Sequence, residues 1–325
     1  MEKLDLKDRK ILFHLNMDGR QSFRTVGKKV GLSKDVVVSR VKKLIDLGII
    51  YGFYSGVDIT KLGYTIYRYY FSYQFITPEK RKELIEYVVN NRYSLVVSSL
   101  EGQYDLSVYM GVKNENDLYN FWDEAFRRYN KYFSKKAFSV FCSSKAYGCT
   151  FLLDKKFRDK NDFDAMEKFG GRLSVNIDEL DYKILKILTD DARISLIKMS
   201  ERLKCSSQTI ANKISKLKKL KVITGTGVSI DFSKLEYKKF KVDINLNEEV
   251  IKQSVIDYLV KNPHVITIFA TIGDSSDIEF DFIVKDINQI LNLIESILVK
   301  FPNSIKDYKY HRDVKRHKQI SIPKN

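Results

Sequence analysis

The sequence predicts an α+β chain made of two tandem copies of a winged helix-turn-helix unit, each followed by a segment in which strands and helices alternate. Three observations carry this expectation. Residues 4–64 align without a gap on residues 177–237. Each copy opens with helical apolar periodicity that is broken twice by turn residues. After each copy the pattern changes to aromatic and β-branched runs separated by amphipathic stretches.

The repeat comes first because it organises everything else. Asp5, Asp8, Lys10, Ile11, Leu12, Leu15, Asp18, Arg20 and Ser22 recur as Asp178, Asp181, Lys183, Ile184, Leu185, Leu188, Asp191, Arg193 and Ser195. Ser33, Lys43, Leu44, Leu47, Ile50 and Gly52 recur as Ser206, Lys216, Leu217, Leu220, Ile223 and Gly225. Asp58, Lys61, Leu62 and Tyr64 return as Asp231, Lys234, Leu235 and Tyr237. An ungapped match of this length marks a duplication. The expected organisation is a first helical unit over 1–64, an α/β domain over 65–153 and a charged linker over 154–173. A second helical unit then covers 174–237 and a second α/β domain 238–325. The linker is expected to be helical in part and holds Gly170 and Gly171 near its end.

Within the unit, Ile11, Leu12 and Leu15 form the apolar stripe of a first helix, repeated by Ile184, Leu185 and Leu188. A break at Asp18 and Gly19 follows, and Ser22 is placed to cap a second helix with Val26 and Val30 inward. Gly31 supplies the left-handed residue that ends it. Leu32 plugs the turn. Ser33 caps a third helix whose buried side carries Val37, Val41 and Leu44. Copy two has Lys204 where copy one has Gly31, so its turn is expected to be strained or differently shaped. Residues 47–54 read as a turn and a β-hairpin wing. Two short helices joined by a tight turn, the second polar outside, follow the helix-turn-helix pattern.

Beyond the first unit, 66–75 reads as a strand and 78–90 as a helix with Pro78 at its start. Strands are expected over 93–100 and 104–112 around Gly102, a helix over 116–132, and a last strand beginning at 137–141. The second round places strands at 240–246, 265–272, 278–284 and near 305–311, with helices at 248–261 and 287–300. The basic stretch with His311, Arg312, Lys315, Arg316, His317 and Lys318 reads as a solvated tail, with nucleic-acid contact as the alternative.

Composition narrows the function. With 57 Lys and Arg against 41 Asp and Glu, the formal net charge is +16, and the two helical units hold roughly +10 of it. Such a balance favours a polyanionic partner; the bland reading is a Lys-rich solvated surface. Cys142, Cys149 and Cys205 form no C-x-x-C pair, and four histidines are too scattered for a zinc pattern, so neither metal nor cofactor is expected. Reduced cysteines, a charged N-terminus without an apolar signal core and the lack of a membrane-length apolar run point to a cytoplasmic protein.

The third helix is where recognition chemistry concentrates. Copy one offers Ser33, Lys34, Asp35, Ser39, Arg40, Lys42 and Lys43; copy two offers Ser206, Ser207, Gln208, Asn212, Lys213, Ser215 and Lys216. Arg matches guanine edges, Gln and Asn match adenine edges, and Ser and Lys reach phosphates or bases. Any one of these residues is as readily explained by an ordinary solvated face. The set is harder to explain that way, because the same polar helix follows the same turn in both copies. Double-stranded DNA is therefore the expected partner.

These residues resemble a known family. Leu4-Asp5-x-x-Asp8-x-x-Ile11-Leu12-x-x-Leu15, Asp18-x-Arg20-x-Ser22, Gly31-Leu32-Ser33 and Arg40-Val41-Lys42-Lys43-Leu44 are similar to the Lrp/AsnC regulators of bacteria and archaea. Gly48-Ile49-Ile50-x-Gly52 and Leu62-Gly63-Tyr64 continue the likeness. Copy two departs at Lys213, Lys221 and Glu236, which replace Arg40, Gly48 and Gly63. The resemblance implies a transcriptional regulator whose third helix reads the major groove. It also implies a ferredoxin-like βαββαβ domain after each helical unit, and a small effector such as an amino acid near the turn between the second and third strands. The matching positions are Gly102 and Asp105 in copy one and Gly273, Asp274 and Asp277 in copy two; a plain hairpin turn explains Gly and Asp there equally well. An intramolecular pseudo-dimer is expected, with further self-association open.

Sirohaem decarboxylases share this layout and are the rival class, but they resemble it with a His-rich second strand. Here residues 98–106 hold no histidine, and His264 lies upstream of residues 270–273. An RNA- or partner-binding module with a degenerate second unit is a further alternative. The expectation is a non-enzyme.

Overall fold

The computed structural model describes residues 4–158, 166–170, 174–273 and 276–324. The first unit folds as α1 (Leu6–Met17), α2 (Phe23–Val30) and α3 (Lys34–Asp46), followed by strand β1 (Ile50–Val57). Each helix starts at a side-chain cap: Asp5 accepts from the Asp8 amide, Ser22 from Thr25 and Ser33 from Val36. These caps satisfy amides that the first helical turn leaves unpaired. The α/β segment continues as β2 (Thr65–Tyr73), α4 (Pro78–Asn90), β3 (Ser94–Gly102), β4 (Leu106–Val112), α5 (Glu115–Tyr129) and β5 (Phe133–Ala146).

The expected linker contributes a 3₁₀ turn at Lys155–Phe157 and a strand, β6 (Met166–Gly170), which lies antiparallel to β5. The strand forms because the edge of β5 offers it backbone partners.

Copy two repeats the plan with α6 (Glu179–Asp190), α7 (Leu196–Leu203), α8 (Ser207–Lys219) and β7 (Ile223–Ile230). Asp178, Ser195 and Ser206 cap the three helices. Then come β8 (Lys238–Leu246), α9 (Lys252–Leu259), β9 (Val265–Gly273), β10 (Ile278–Val284), α10 (Asn288–Lys300) and β11 (Ile305–Gln319). Among the described residues no helix is long and apolar enough to cross a membrane.

Copy two makes the same turns as copy one without the glycines. Gly31 (φ 67°) and Gly48 (φ 68°) are matched by Lys204 (φ 51°) and Lys221 (φ 55°), all left-handed. The turn geometry is thus retained and the strain accepted. A side chain in this region costs about 1–2 kcal/mol, partly offset by the larger unfolded-state entropy of glycine. Lys204→Gly and Lys221→Gly should therefore each stabilise the chain by about 0.5–1 kcal/mol. A rise in the urea midpoint at constant slope would register it; an unchanged or lower midpoint would contradict it.

The expected hairpin wing does not form. Between Gly48 and Gly63 no residue takes the positive φ of a tight two-residue hairpin, and β1 runs on as one strand. Its partner is β7 of the other copy, antiparallel from Ile50 opposite Ile230 to Val57 opposite Ile223. The strands also exchange cores. Val57, Ile59 and Leu62 pack with Ile184, Leu185 and Leu217 of the second helical unit, while Val228 and Ile230 pack with Ile11, Leu12 and Val41 of the first. The Asp58 amide bonds to Val222 and the Asp231 amide to Ile49, closing the exchange at both ends.

The two α/β segments each form a four-stranded antiparallel ferredoxin-like sheet, in the orders β5-β2-β4-β3 and β11-β8-β10-β9. Helices α4 and α5 cover one sheet through Leu84, Val88, Phe121 and Trp122; α9 and α10 cover the other through Val255, Leu259, Ile290 and Ile294. The sheet edges meet twice, β3 with β11 and β9 with β5, so eight strands close into a ring with the helices outside. The fourth strands are longer than their sequence suggested because each pairs with both sheets.

The basic C-terminal stretch is accordingly not a solvated tail. It is the second half of β11, paired with β3. Arg312 meets Glu101 at 2.6 Å, Ser99 bonds to His317, and Lys318 donates to the carbonyls of Val89 and Asn91. Edge pairing holds these residues despite their charge.

Candidate nucleic-acid interface

On α3, Lys34, Asp35, Ser39, Lys42 and Lys43 are exposed. On α8, Gln208, Asn212, Ser215 and Lys216 are exposed, and Ser207 is half-buried with its hydroxyl 3.3 Å from that of Ser200. Ser33 and Ser206 use their hydroxyls as helix caps. Gln208 Nε2 donates to Asn212 Oδ1 at 2.9 Å, so the two amides stand side by side.

Arg40 and Lys213, which the sequence places on the outer face, are drawn toward the first helix of their unit. Arg40 Nη1 lies 2.7 Å from Asp5 and 2.8 Å from Asp8. Lys213 Nζ lies 2.5 Å from Asp178 and 3.0 Å from Asp181. The reason is the capping carboxylates at the start of the first helix in each unit, which face the middle of the third. Asp181 is fully buried and Asp8 nearly so, and a buried carboxylate needs a cation. The hydrogen bond that Arg40 donates to Asp5 holds its guanidinium more firmly protonated, and that from Lys213 holds the Asp178 carboxyl below its ordinary value. Arg40→Ala should therefore lower stability by about 1–2 kcal/mol and leave base preference at the operator unchanged. Urea unfolding and competition with mutated operators would check the two parts. A fully stable variant with relaxed specificity would return Arg40 to the reading face.

The two units are braced across their junction by residues the sequence showed only as repeats. The Arg20 guanidinium donates to the Ala192 carbonyl, and Arg193 to the carbonyls of Gly19 and Gln21. Arg193 also lies over the rings of Phe23 and Phe53, at 4.1 and 5.1 Å. Together with the β1–β7 ladder, these contacts fix α3 relative to α8.

At the effector positions, Gly102 and Gly273 sit where the opposing fourth strand crosses. A Cβ on Gly102 would lie 2.9 Å from the Tyr310 carbonyl oxygen, and one on Gly273 2.4 Å from that of Phe138. Their lack of a side chain thus serves ring closure. Asp105 accepts from the Tyr73 amide at 2.7 Å, and Asp277 from the Leu246 amide at 2.6 Å, each terminating the first strand of its sheet. Asp274 lies outside the described residues.

None of these four lines the adjoining cavity of about 130 Å³, but their neighbours Gln103, Tyr104 and Ser276 do. Its other walls are Arg68, Tyr70, Asp243, Asn245, Glu279 and Lys309, from both copies. A wider groove of about 440 Å³ runs along α9 and α10 past His264 and Asn292. The smaller cavity has the stronger chemical character, because the Tyr70 hydroxyl and Asp243 Oδ1 are buried there without hydrogen-bond partners.

The ring interior is polar. Arg68 and Glu279 are almost fully buried and joined by two hydrogen bonds, at 2.6 and 2.8 Å. Burial and the nearby Glu279 charge push the Asp243 carboxyl up to about 7. Burial, Lys241 and Arg68 push the His311 imidazole down to about 3, leaving it neutral. The sequence carries a signal for this interior. Arg68, then Lys239, Lys241 and Asp243, then Glu279 and Asp281 occupy alternating positions of otherwise apolar strands, which puts them all on the inward faces.

Among the described residues no cluster of His, Cys, Asp or Glu is arranged to hold a metal ion. The AsnC-type helix-turn-helix domain model matches residues 4–45 and again 177–218. The HTH-type transcriptional regulator Ptr1 of Methanocaldococcus jannaschii is 34% identical over 102 residues, covering 31% of this chain and 68% of that protein. The HTH-type transcriptional regulator FL11 of Pyrococcus horikoshii is 32% identical over 124 residues, 37% of this chain and 78% of that one. The crystal structure of the sirohaem decarboxylase NirDL superposes with a TM-score of 0.63 over 98% of this chain and 94% of that chain; at 14% identity this likeness concerns the fold alone. Because both helical units match the same model and the regulators are spanned over most of their length, the chain belongs to the Lrp/AsnC family of helix-turn-helix transcriptional regulators, with the family's unit present twice in tandem.

Proposed function

We propose that the chain binds specific duplex DNA sequences, with α3 and α8 each entering a major groove, and that it acts as a cytoplasmic regulator rather than an enzyme. The observation that carries this is the pair of outward polar helices, rigidly joined through β1 and β7, with Lys34, Lys42, Lys216, Lys218 and Lys219 exposed on them. The domain division expected from the repeat serves this reading: a DNA-facing layer over 1–64 and 174–237, and a ring over 65–153 and 238–325 joined through 154–173.

A small polar effector, an amino acid by likeness to the family, is assigned to the interior cavity beside the 101–105 and 273–277 turns. One finding weighs against decarboxylase chemistry: the second strands lack the histidine pattern.

Mobility-shift titration of duplex DNA at low salt tests the proposal, and no complex under those conditions would overturn it. The same titration with each common amino acid added reads the effector. An affinity unchanged by all of them removes that part alone.

A further inference from the structure

The two reading helices present different chemistry at the same step of their half-sites. We propose that one chain reads an asymmetric operator, with a C·G pair under Asp35 of α3 and an A·T pair at the related step under Gln208 and Asn212 of α8. This rests on the DNA-reading role proposed above.

The repeat places Asp35 opposite Gln208 and Ser39 opposite Asn212. All four are exposed and lie one turn apart on the outer faces of their helices. With Arg40 and Lys213 held by the capping carboxylates, these positions are left to discriminate bases. A carboxylate facing DNA is repelled by phosphate and is tolerated only against a donor. In the major groove, cytosine offers its N4 amino group, whereas the adenine amino group lies beside the N7 acceptor, which repels a carboxylate. Asp35 therefore selects cytosine.

In copy two, the bond from Gln208 Nε2 to Asn212 Oδ1 leaves Gln208 Oε1 as an acceptor and Asn212 Nδ2 as a donor on an exposed pair. That pair complements the N6 donor and N7 acceptor of adenine. Ser39 cannot reproduce it in copy one. A dimer of identical subunits must read identical half-sites; fusion in one chain, with the junction locked by β1 and β7, frees the two helices to differ.

Selection of bound duplexes from a random pool by the full chain tests the assignment, using wild type, Asp35→Gln and the reciprocal Gln208→Asp. The wild-type pool should converge on unlike half-sites, C·G in one arm and A·T at the dyad-related step of the other. Asp35→Gln should shift preference in its own arm toward A·T by about tenfold, leaving the second arm unchanged. Gln208→Asp should shift the second arm toward C·G. Identical pairs at the two steps in the wild-type pool, or variants that leave their own arm unchanged, overturn the assignment while the DNA-binding reading stands. Failure of wild type to retain any duplex at low salt overturns that reading and this inference with it.

Discussion

Glu279→Gln should destabilise the folded chain by about 3–5 kcal/mol, and Arg68→Met by a similar amount, because each leaves a buried charge without its partner. Arg68 comes from the first sheet and Glu279 from the second, so the pair also ties the two copies together. Its two hydrogen bonds, at 2.6 and 2.8 Å, lie where both side chains are at most 2% exposed. Thr271 donates a further hydrogen bond to Glu279, and Lys241 lies 3.6 Å away. Loss of Glu279 would leave two buried cations near one another. The double variant Arg68→Met with Glu279→Leu should recover most of the loss, since an apolar pair of similar volume substitutes well for a buried ion pair. Urea unfolding of the four proteins reads the losses and the recovery, and a single-variant loss below about 1 kcal/mol would show that water screens the pair.

A pH dependence follows with a definite sign. Burial alone would raise the Glu279 carboxyl, but Arg68 and Lys241 hold it down to about 2, below its unfolded value. Its contribution is therefore present above the ordinary carboxylate range and lost as pH falls from there toward 2. Glu279→Gln should remove that acid-sensitive component.

DNA affinity should fall by about three powers of ten between 50 and 200 mM salt. Each neutralised phosphate contributes a slope near −0.9 in log K against log salt, and about six contacts are within reach of the exposed lysines on the two reading helices. Lys42→Gln and Lys218→Gln should each flatten the slope by about one without altering base preference, as a phosphate contact requires. Both residues are exposed, so the fold should be unaffected. An affinity independent of salt would mean that the charge on these helices does not face the phosphates.

The charges in the ring also bear on how the chain assembles. Arg68 and Lys241 hold matching positions in the two copies, but both lie near carboxylates on β10, Glu279 and Asp281. At the matching positions on β4 stand Ser107 and Tyr109. Two first copies meeting in the same way would bury two arginines with no carboxylate. The buried charges therefore favour pairing of copy one with copy two over pairing of two first copies.

Local chemistry wrote most of the elements into the sequence. Ser22 and Ser33 marked helix starts, Pro78 opened α4 at the expected residue, and the 278–284 run is β10 without adjustment. Each of these depends on residues a few positions apart, which is what periodicity and capping report. The duplication and the two helix-turn-helix units were legible for the same reason. What only the tertiary structure decided is how the copies use each other. The 47–54 segment looked like a hairpin because its natural partner, β7, lies about 170 residues away and leaves no local trace. His311 to Lys318 looked like a solvated tail because the strand it pairs with, and the groups that meet Arg312, His317 and Lys318, belong to the other copy. Arg40 reads from sequence as an outer-face residue, and only the folded chain places Asp5 and Asp8 against it. Backbone pairing and ion pairing between distant segments depend on which surfaces meet, and sequence periodicity carries no record of that.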